Sequence, residues 1–206
     1  MNRCELVGYY GSDEVHALSA WTSTSRELTD DKRQRIPALL RMLADAGHHT
    51  PFEKSSLHFL VTVDTATHIH LLKHRIGVSI NGESARYKEL REDKGYVPLD
   101  WSGDERELLA EHLSESFERY HKCLERLVAA GVPRKRAKES ARFYLPYASQ
   151  VTMDVMFNWR SFHHFLSLRM KQDAQVEVRE LATAMLKAVS EIEGNPFEHT
   201  ITAFGH

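Results

Sequence analysis

A single α/β unit is predicted, on three observations. Two runs alternate apolar and polar residues over strand length: Leu57, Phe59, Val61 and Val63 against His58, Leu60, Thr62 and Asp64, then Val151, Met153, Val155 and Phe157 against Thr152, Asp154 and Met156. Between and after them lie long stretches whose apolar residues recur at helical spacing. The chain has 206 residues, 42% hydrophobic and 27% charged, enough to bury one full core. No internal repeat, low-complexity tract or linker interrupts it, so residues 1–206 are expected to form one domain.

In chain order, Glu5 to Tyr10 reads as a short strand that ends at Gly11-Ser12, and Asp13 to Trp21 suits a short helix. Thr29 is placed to cap a helix with Asp30 and Asp31 in its first turn, Ile36, Leu39, Leu40 and Leu43 as its stripe, and Gly47 as its stop. Pro37 inside it predicts a late start or a kink. The strand from Leu57 leads to Asp64 or Thr65 as the cap of a helix carrying Ala66, Ile69 and Leu72 inward. A long helix is expected from about Asp104 to Ala130, stopped by Gly131, with Pro133 opening another that closes at Ala141-Arg142. After the strand from Gln150 to Phe157, Asn158 marks a change to a helix with Phe162, Phe165, Leu166 and Met170 on one side. Asp173 is expected to cap the last long helix, with Ala174, Val178, Leu181, Met185 and Val189 buried; the tail after Pro196 carries no signal.

Composition removes several function classes. A net charge of −2 gives no global nucleic-acid or membrane signature, so an anion site must come from local clustering of Arg and Lys. Two distant cysteines, Cys4 and Cys123, exclude a disulfide scaffold and suit a reducing compartment; Cys123, among Tyr120, Leu124 and Leu127, reads as a buried or half-buried thiol. No charged-then-apolar leader or run of about 18 apolar residues is present, so a cytoplasmic protein is expected. His48 and His49 are adjacent, and His70 and His74 have no acidic partner at ligand spacing, so no metal site is assigned.

The chemistry concentrates in Lys73-His74-Arg75, followed by Gly77, Gly82, Glu83, Ser84, Arg86 and Tyr87. Glycines permit close backbone approach, and cations with hydroxyls are the equipment for holding phosphate. Cations at a helix end are equally explained by the helix dipole. A second block runs Ala141-Arg142-Phe143-Tyr144-Leu145-Pro146, then Asn158-Trp159-Arg160, Phe165-Leu166-Ser167-Leu168-Arg169 and Ala174-Gln175-Val176-Glu177. Upstream stands His48-His49-Thr50-Pro51-Phe52-Glu53.

These blocks, taken in chain order over roughly residues 13–190, resemble the flavin-dependent thymidylate synthases. The family's Arg-His-Arg triplet has Lys73 in first place here, and eight residues rather than seven separate Arg75 from Ser84. The resemblance implies an α+β fold with an antiparallel sheet packed with long helices. It also implies reductive methylation of dUMP to dTMP, with FAD as cofactor, 5,10-methylenetetrahydrofolate as carbon donor and NADPH as reductant, in a homotetramer whose sites are shared between subunits. No membrane or nucleic-acid partner is expected.

By position, the resemblance makes Arg169 the catalytic residue, its charge favouring ionisation of the uracil at N3 and so a nucleophilic C5. It assigns dUMP contacts to His70, Lys73, Glu83, Ser84, Ala85, Arg86, Arg142 and Arg169. FAD contacts fall on His48, Thr50, Lys73, His74, Arg75, Glu83, Asn158, Arg160 and His164, the last standing where the family often has Asn. Lys73 keeps a charge but loses the planar fork. Arg142, Arg160 and Arg169 are also explained as ion-pair partners between helices, and Gln175, Glu177 and Arg179 as either folate-side, subunit or structural contacts. Two other readings remain: a relative that modifies C5 of another pyrimidine nucleotide, and a non-catalytic nucleotide- or RNA-binding relative suggested by the basic run Arg134 to Lys138.

Overall fold

Alternation along the two predicted strands becomes burial. Leu57, Phe59, Val61 and Val63 have no exposed surface, and neither do Val155 and Phe157. A computed structural model describes residues 2–84, 89–90 and 92–206; Ala85 and Arg86 lie outside the described residues. Strands β1 (Arg3–Tyr10), β2 (Ser56–Asp64), β3 (Val78–Gly82) and β4 (Gln150–Phe157) form one antiparallel sheet in the order β1-β2-β4-β3. The implied fold class is therefore the observed one.

The described residues divide into two compact units, and the boundaries fall inside each of the four strands as well as after Leu72. The first comprises Met1–Arg3, Val61–Leu72 and Asn81–Met153. It contains α3 (Thr65–Leu71), the long α4 (Gly103–Ala129) and α5 (Arg134–Ala141). Tyr120 and Leu124 of α4 close over Ala137 and Ala141 of α5 to make its core, with Cys123, Leu127 and Leu145 against them. Gly131, at φ +85°, supplies the left-handed turn that folds α5 back.

The second unit comprises Cys4–Leu60, Lys73–Ile80 and Asp154–His206. It holds α1 (Asp13–Trp21), α2 (Asp30–Asp45), α6 (Trp159–Arg169), α7 (Val176–Ser190) and α8 (Glu198–Ala203). Its centre is aromatic: Phe59, Phe157, Phe162 and Phe165 share contacts, and Trp159 stacks on Phe197 at 5.5 Å. Such pairs add roughly 0.5–1.5 kcal/mol each beyond the area they bury.

Several expectations are corrected. The glycine-containing stretch after Arg75, to which the sequence assigns no strand, contains β3, an edge strand whose weak alternation and terminal Gly82 hid it. On α3 the buried residues are Thr67 and Leu71, whereas Ile69 and Leu72 are exposed; seven residues are too few to fix the phase of a stripe. Helix α2 begins at Asp30 under the Thr29 cap and contains Pro37, so its start is not late. Helix α7 begins at Val176, with Gln175 rather than Asp173 at the cap position. The silent tail forms α8. Among the described residues, no helix is long and apolar enough to cross a membrane.

Candidate active site

Helix α6 organises the second unit's polar end. Asn158 is extended and caps it, its side chain accepting from Ser161 N at 2.9 Å, so the apolar stripe faces the core while the first turn presents Arg160 outward, with Asn158 half-buried and Ser161 buried beside it. Gly77 lies against this turn. Its carbonyl accepts from Ser161 Oγ at 2.7 Å and from Asn158 N at 3.3 Å. Its φ is +69°, and a Cβ there would stand 2.8 Å from Asn158 Nδ2, so backbone and neighbour both require glycine.

A cavity of about 550 Å³ opens at this turn, lined among others by Ile76, Gly77, Asn158, Arg160, His163 and His164. His49 and Glu53, from the 3-10 turn Thr50–Glu53 and the residue before it, close another side. Arg160 Nη1 donates to Glu53 Oε1 at 2.5 Å, an ion pair about half exposed. His163 Nδ1 and His206 Nε2 are 3.0 Å apart. Burial, then the charges of His206, His49 and His164, holds His163 down at about 4, so it is a neutral imidazole at physiological pH. Among the described residues, no three His, Cys, Asp or Glu side chains converge as a metal site.

At the other end of α6, Arg169 Nε donates to Nε2 of buried His74 at 2.9 Å. The accepting nitrogen carries no proton, so His74 is the neutral Nδ1–H tautomer. Its ring meets Phe165 edge-on at 5.1 Å and lies 6.1 Å from His164. Two residues assigned by resemblance to different ligands are thereby joined. Lys73 and Arg75 beside His74 are exposed, as are His48 and Thr50, and none of the four lines the cavity.

The first unit contains a separate cavity of about 430 Å³, whose lining includes Glu83, Ser84, Arg142, Tyr147 and Gln150. Glu83 is fixed twice at Thr152: its N–H donates to the Thr152 carbonyl at 2.8 Å, and its Oε2 accepts from Thr152 N at 3.0 Å. Arg142 projects to solvent from the end of α5, anchored by buried Ala141 beside it. His70 does not line this cavity, although its neighbour Ile69 does.

Sequence reasoning missed His49, Glu53, Ser161 and His163 at one cavity and Tyr147 and Gln150 at the other. Glu53 had a readable signal, since it ends the block that begins at His48.

Both cysteines are free, and burial pushes the Cys4 thiol up to about 12, which leaves it unreactive.

Comparison with known proteins decides the family. Residues 5–193 match the family described as thymidylate synthase complementing protein. The chain belongs to the flavin-dependent thymidylate synthase family, and it is an enzyme. The flavin-dependent thymidylate synthase of Thermotoga neapolitana is 32% identical over 194 residues, covering 91% of this chain and 85% of that one. That of Streptomyces coelicolor is 29% identical over 189 residues, covering 82% and 75%. Among solved structures, the UMP/dUMP methylase PolB from Streptomyces cacaoi bound with 5-Br dUMP superposes with a TM-score of 0.79. It is 29% identical, with 100% of this chain and 96% of that chain covered. The same methylase bound with 5-Br UMP gives a TM-score of 0.75 at 27% identity.

Proposed function

We propose that this flavin-dependent thymidylate synthase family member methylates dUMP to dTMP, with FAD as its flavin, 5,10-methylenetetrahydrofolate as carbon donor and NADPH as reductant. It acts as one catalytic domain over residues 1–206, in a cytoplasmic homotetramer whose sites are shared between subunits. The observation that carries this is the cavity at the start of α6, where Gly77 leaves room that any side chain would fill.

The donor set there suits a flavin. Asn158, Arg160 and His164 line this cavity and would hold it, with His49 and the neutral imidazole of His163 forming further walls; His74 and Glu83 are assigned to the same ligand by the family resemblance. Lys73, Arg75, His48 and Thr50 supply polar groups to the same ligand. When bound, the flavin supplies hydride transfer, which no side chain performs.

The chain's own residues do the rest. Ser84, Arg86 and Arg142 hold the nucleotide phosphate and sugar, with His70, Lys73, Glu83 and the Ala85 backbone as further contacts; arginine forks match a phosphate dianion. Arg169, its guanidinium plane fixed by the bond from Nε to His74, places positive charge at the uracil. That charge favours loss of the N3 proton and raises electron density at C5. C5 is then nucleophilic without a cysteine adduct, in keeping with the inert Cys4 thiol.

A second reading has specific support. The structural likeness is to a methylase solved with both a deoxyribo- and a ribonucleotide analogue, so UMP is the alternative acceptor. Product analysis after incubation with FAD, NADPH and labelled methylenetetrahydrofolate separates the two. Label transfer to dUMP, with slower transfer to UMP and none to dCMP, supports the first; preference for UMP supports the second, and transfer to neither removes both.

A further inference from the structure

Helix α6 receives support from residues far from either cavity. Asp13, at the start of α1, is buried and accepts three hydrogen bonds from the first turn of α8: His199 N at 2.8 Å, Thr200 N at 2.8 Å and Thr200 Oγ1 at 2.5 Å. The carboxyl is the acceptor in all three bonds, and these donors offset the burial that would otherwise favour its protonated form. Thr200 Oγ1 donates its one hydrogen to Asp13, so its 3.0 Å contact with His16 Nδ1 requires the imidazole to donate. His16 Nε2 is therefore the bare nitrogen, and it accepts from Ser55 Oγ at 2.9 Å. Ser55 Oγ in turn accepts from Trp159 N at 3.3 Å, the first N–H of α6 and a group the helix itself leaves unsatisfied. Ser55 Oγ also lies 3.4 Å from the Phe52 carbonyl, a longer contact than the 2.9 Å to His16 Nε2; with the Ser55 hydrogen on the shorter bond, every bond in the chain runs in one direction.

We propose that this buried chain, from Asp13 through Thr200, His16 and Ser55 to Trp159, positions the start of α6, with Thr200, His16 and Ser55 as positioning residues for the flavin-facing side chains Asn158 and Arg160. It rests on the reading of the α6 cavity as the flavin site. Asn158 and Arg160 flank Trp159, and Glu53, two residues before Ser55, pairs with Arg160. The segment from Glu53 to Ser55 therefore holds the first turn of α6 at a backbone atom and at a side chain together. His16 has no exposed surface, and Trp159 and Thr200 have none either, so water cannot replace a lost partner. Ser55 is equally constrained: a Cβ on Gly11 would stand 2.6 Å from its Cβ.

Thr200→Val keeps the shape and removes the link, and Thr200→Ser restores the hydroxyl. In the ligand-free protein, nitrogen NMR is expected to find His16 as the Nδ1–H tautomer in the parent and in Thr200→Ser, and a changed tautomer balance in Thr200→Val. A parent His16 protonated at Nε2 overturns the inference. Thr200→Val and Ser55→Ala are each expected to weaken FAD binding about fivefold, the worth of one hydrogen bond. Binding of dUMP stays within error, and Thr200→Ser recovers FAD binding. Unchanged FAD affinity, or loss of FAD and dUMP affinity in equal measure, contradicts it. Arg160→Ala identifies which claim has failed. Weaker FAD binding in Arg160→Ala with none in Thr200→Val ends the positioning chain alone. Intact FAD binding in Arg160→Ala ends the flavin placement and the inference with it.

Discussion

Arg169 donates from Nε to the unprotonated Nε2 of His74 at 2.9 Å, so one residue of the basic triplet and the last residue of α6 act as a pair. The bond selects the His74 tautomer and orients the guanidinium plane. If it faces the uracil as proposed, a cation held in this way needs no reorganisation when negative charge develops there.

Arg169→Ala is accordingly expected to lower methylation by about a hundredfold or more, while reduction of bound flavin by NADPH largely survives. Stopped-flow flavin reduction and product assays on the same preparation check this. Parallel loss of both activities marks Arg169 as a structural residue.

Gly77→Ala is expected to damage the cavity at the start of α6, the proposed flavin site, specifically. The substitution places a Cβ 2.8 Å from Asn158 Nδ2 on a backbone at φ +69°, a combined cost of about 1–3 kcal/mol. FAD titration and thermal unfolding should both register it; unchanged values in both show that the turn at Gly77 is not tight.

Much of this architecture was legible in the sequence because its signals are local. Strands β2 and β4 alternate over eight or more residues, and Thr29, Asp64 and Asn158 cap the helices they precede. What escaped is held from a distance. Helix α8 is capped by Asp13 across 186 residues, which no window of sequence contains. Strand β3 sits at a sheet edge, where one face and one ladder are enough and five residues with a final glycine leave little pattern. Around the cavity at the start of α6, ordered motifs picked out Asn158, Arg160 and His164. His163 was passed over because its partner, His206, adjoins it only in three dimensions.

Replacing both thiols, Cys4→Ser with Cys123→Ser, is expected to leave methylation within about twofold, since the proposed attack by C5 requires no sulfur adduct. Cys4 is held near 12 by burial, and Cys123 packs against the α4–α5 core. Turnover before and after alkylation gives the same answer independently. Abolished turnover in the double variant, with the fold intact, points instead to a thiol mechanism.

Acid should destabilise the fold through two histidines. His16 is held down at about 3 and His163 at about 4, both mainly by burial, against an ordinary value of 6.5. Below pH 6.5 the unfolded chain takes up protons that the folded chain refuses, so this stability is complete above 6.5 and is lost as pH falls toward 4 and then 3. Thermal melts from pH 7.5 to 4.5 are expected to show a falling Tm, each kcal/mol costing roughly 2–4 °C in a chain of this size. His163→Gln should flatten the upper part of that fall; an identical slope in the variant assigns the effect elsewhere.

The most direct measurement is an absorbance titration of purified protein loaded with FAD, recorded as dUMP is added, for the parent and for Arg169→Ala. The account predicts a bound flavin whose spectrum shifts saturably with dUMP in the parent and shifts less, or only at higher dUMP, in the variant. A protein that retains no flavin, or a flavin spectrum indifferent to dUMP at saturating concentration, would contradict it.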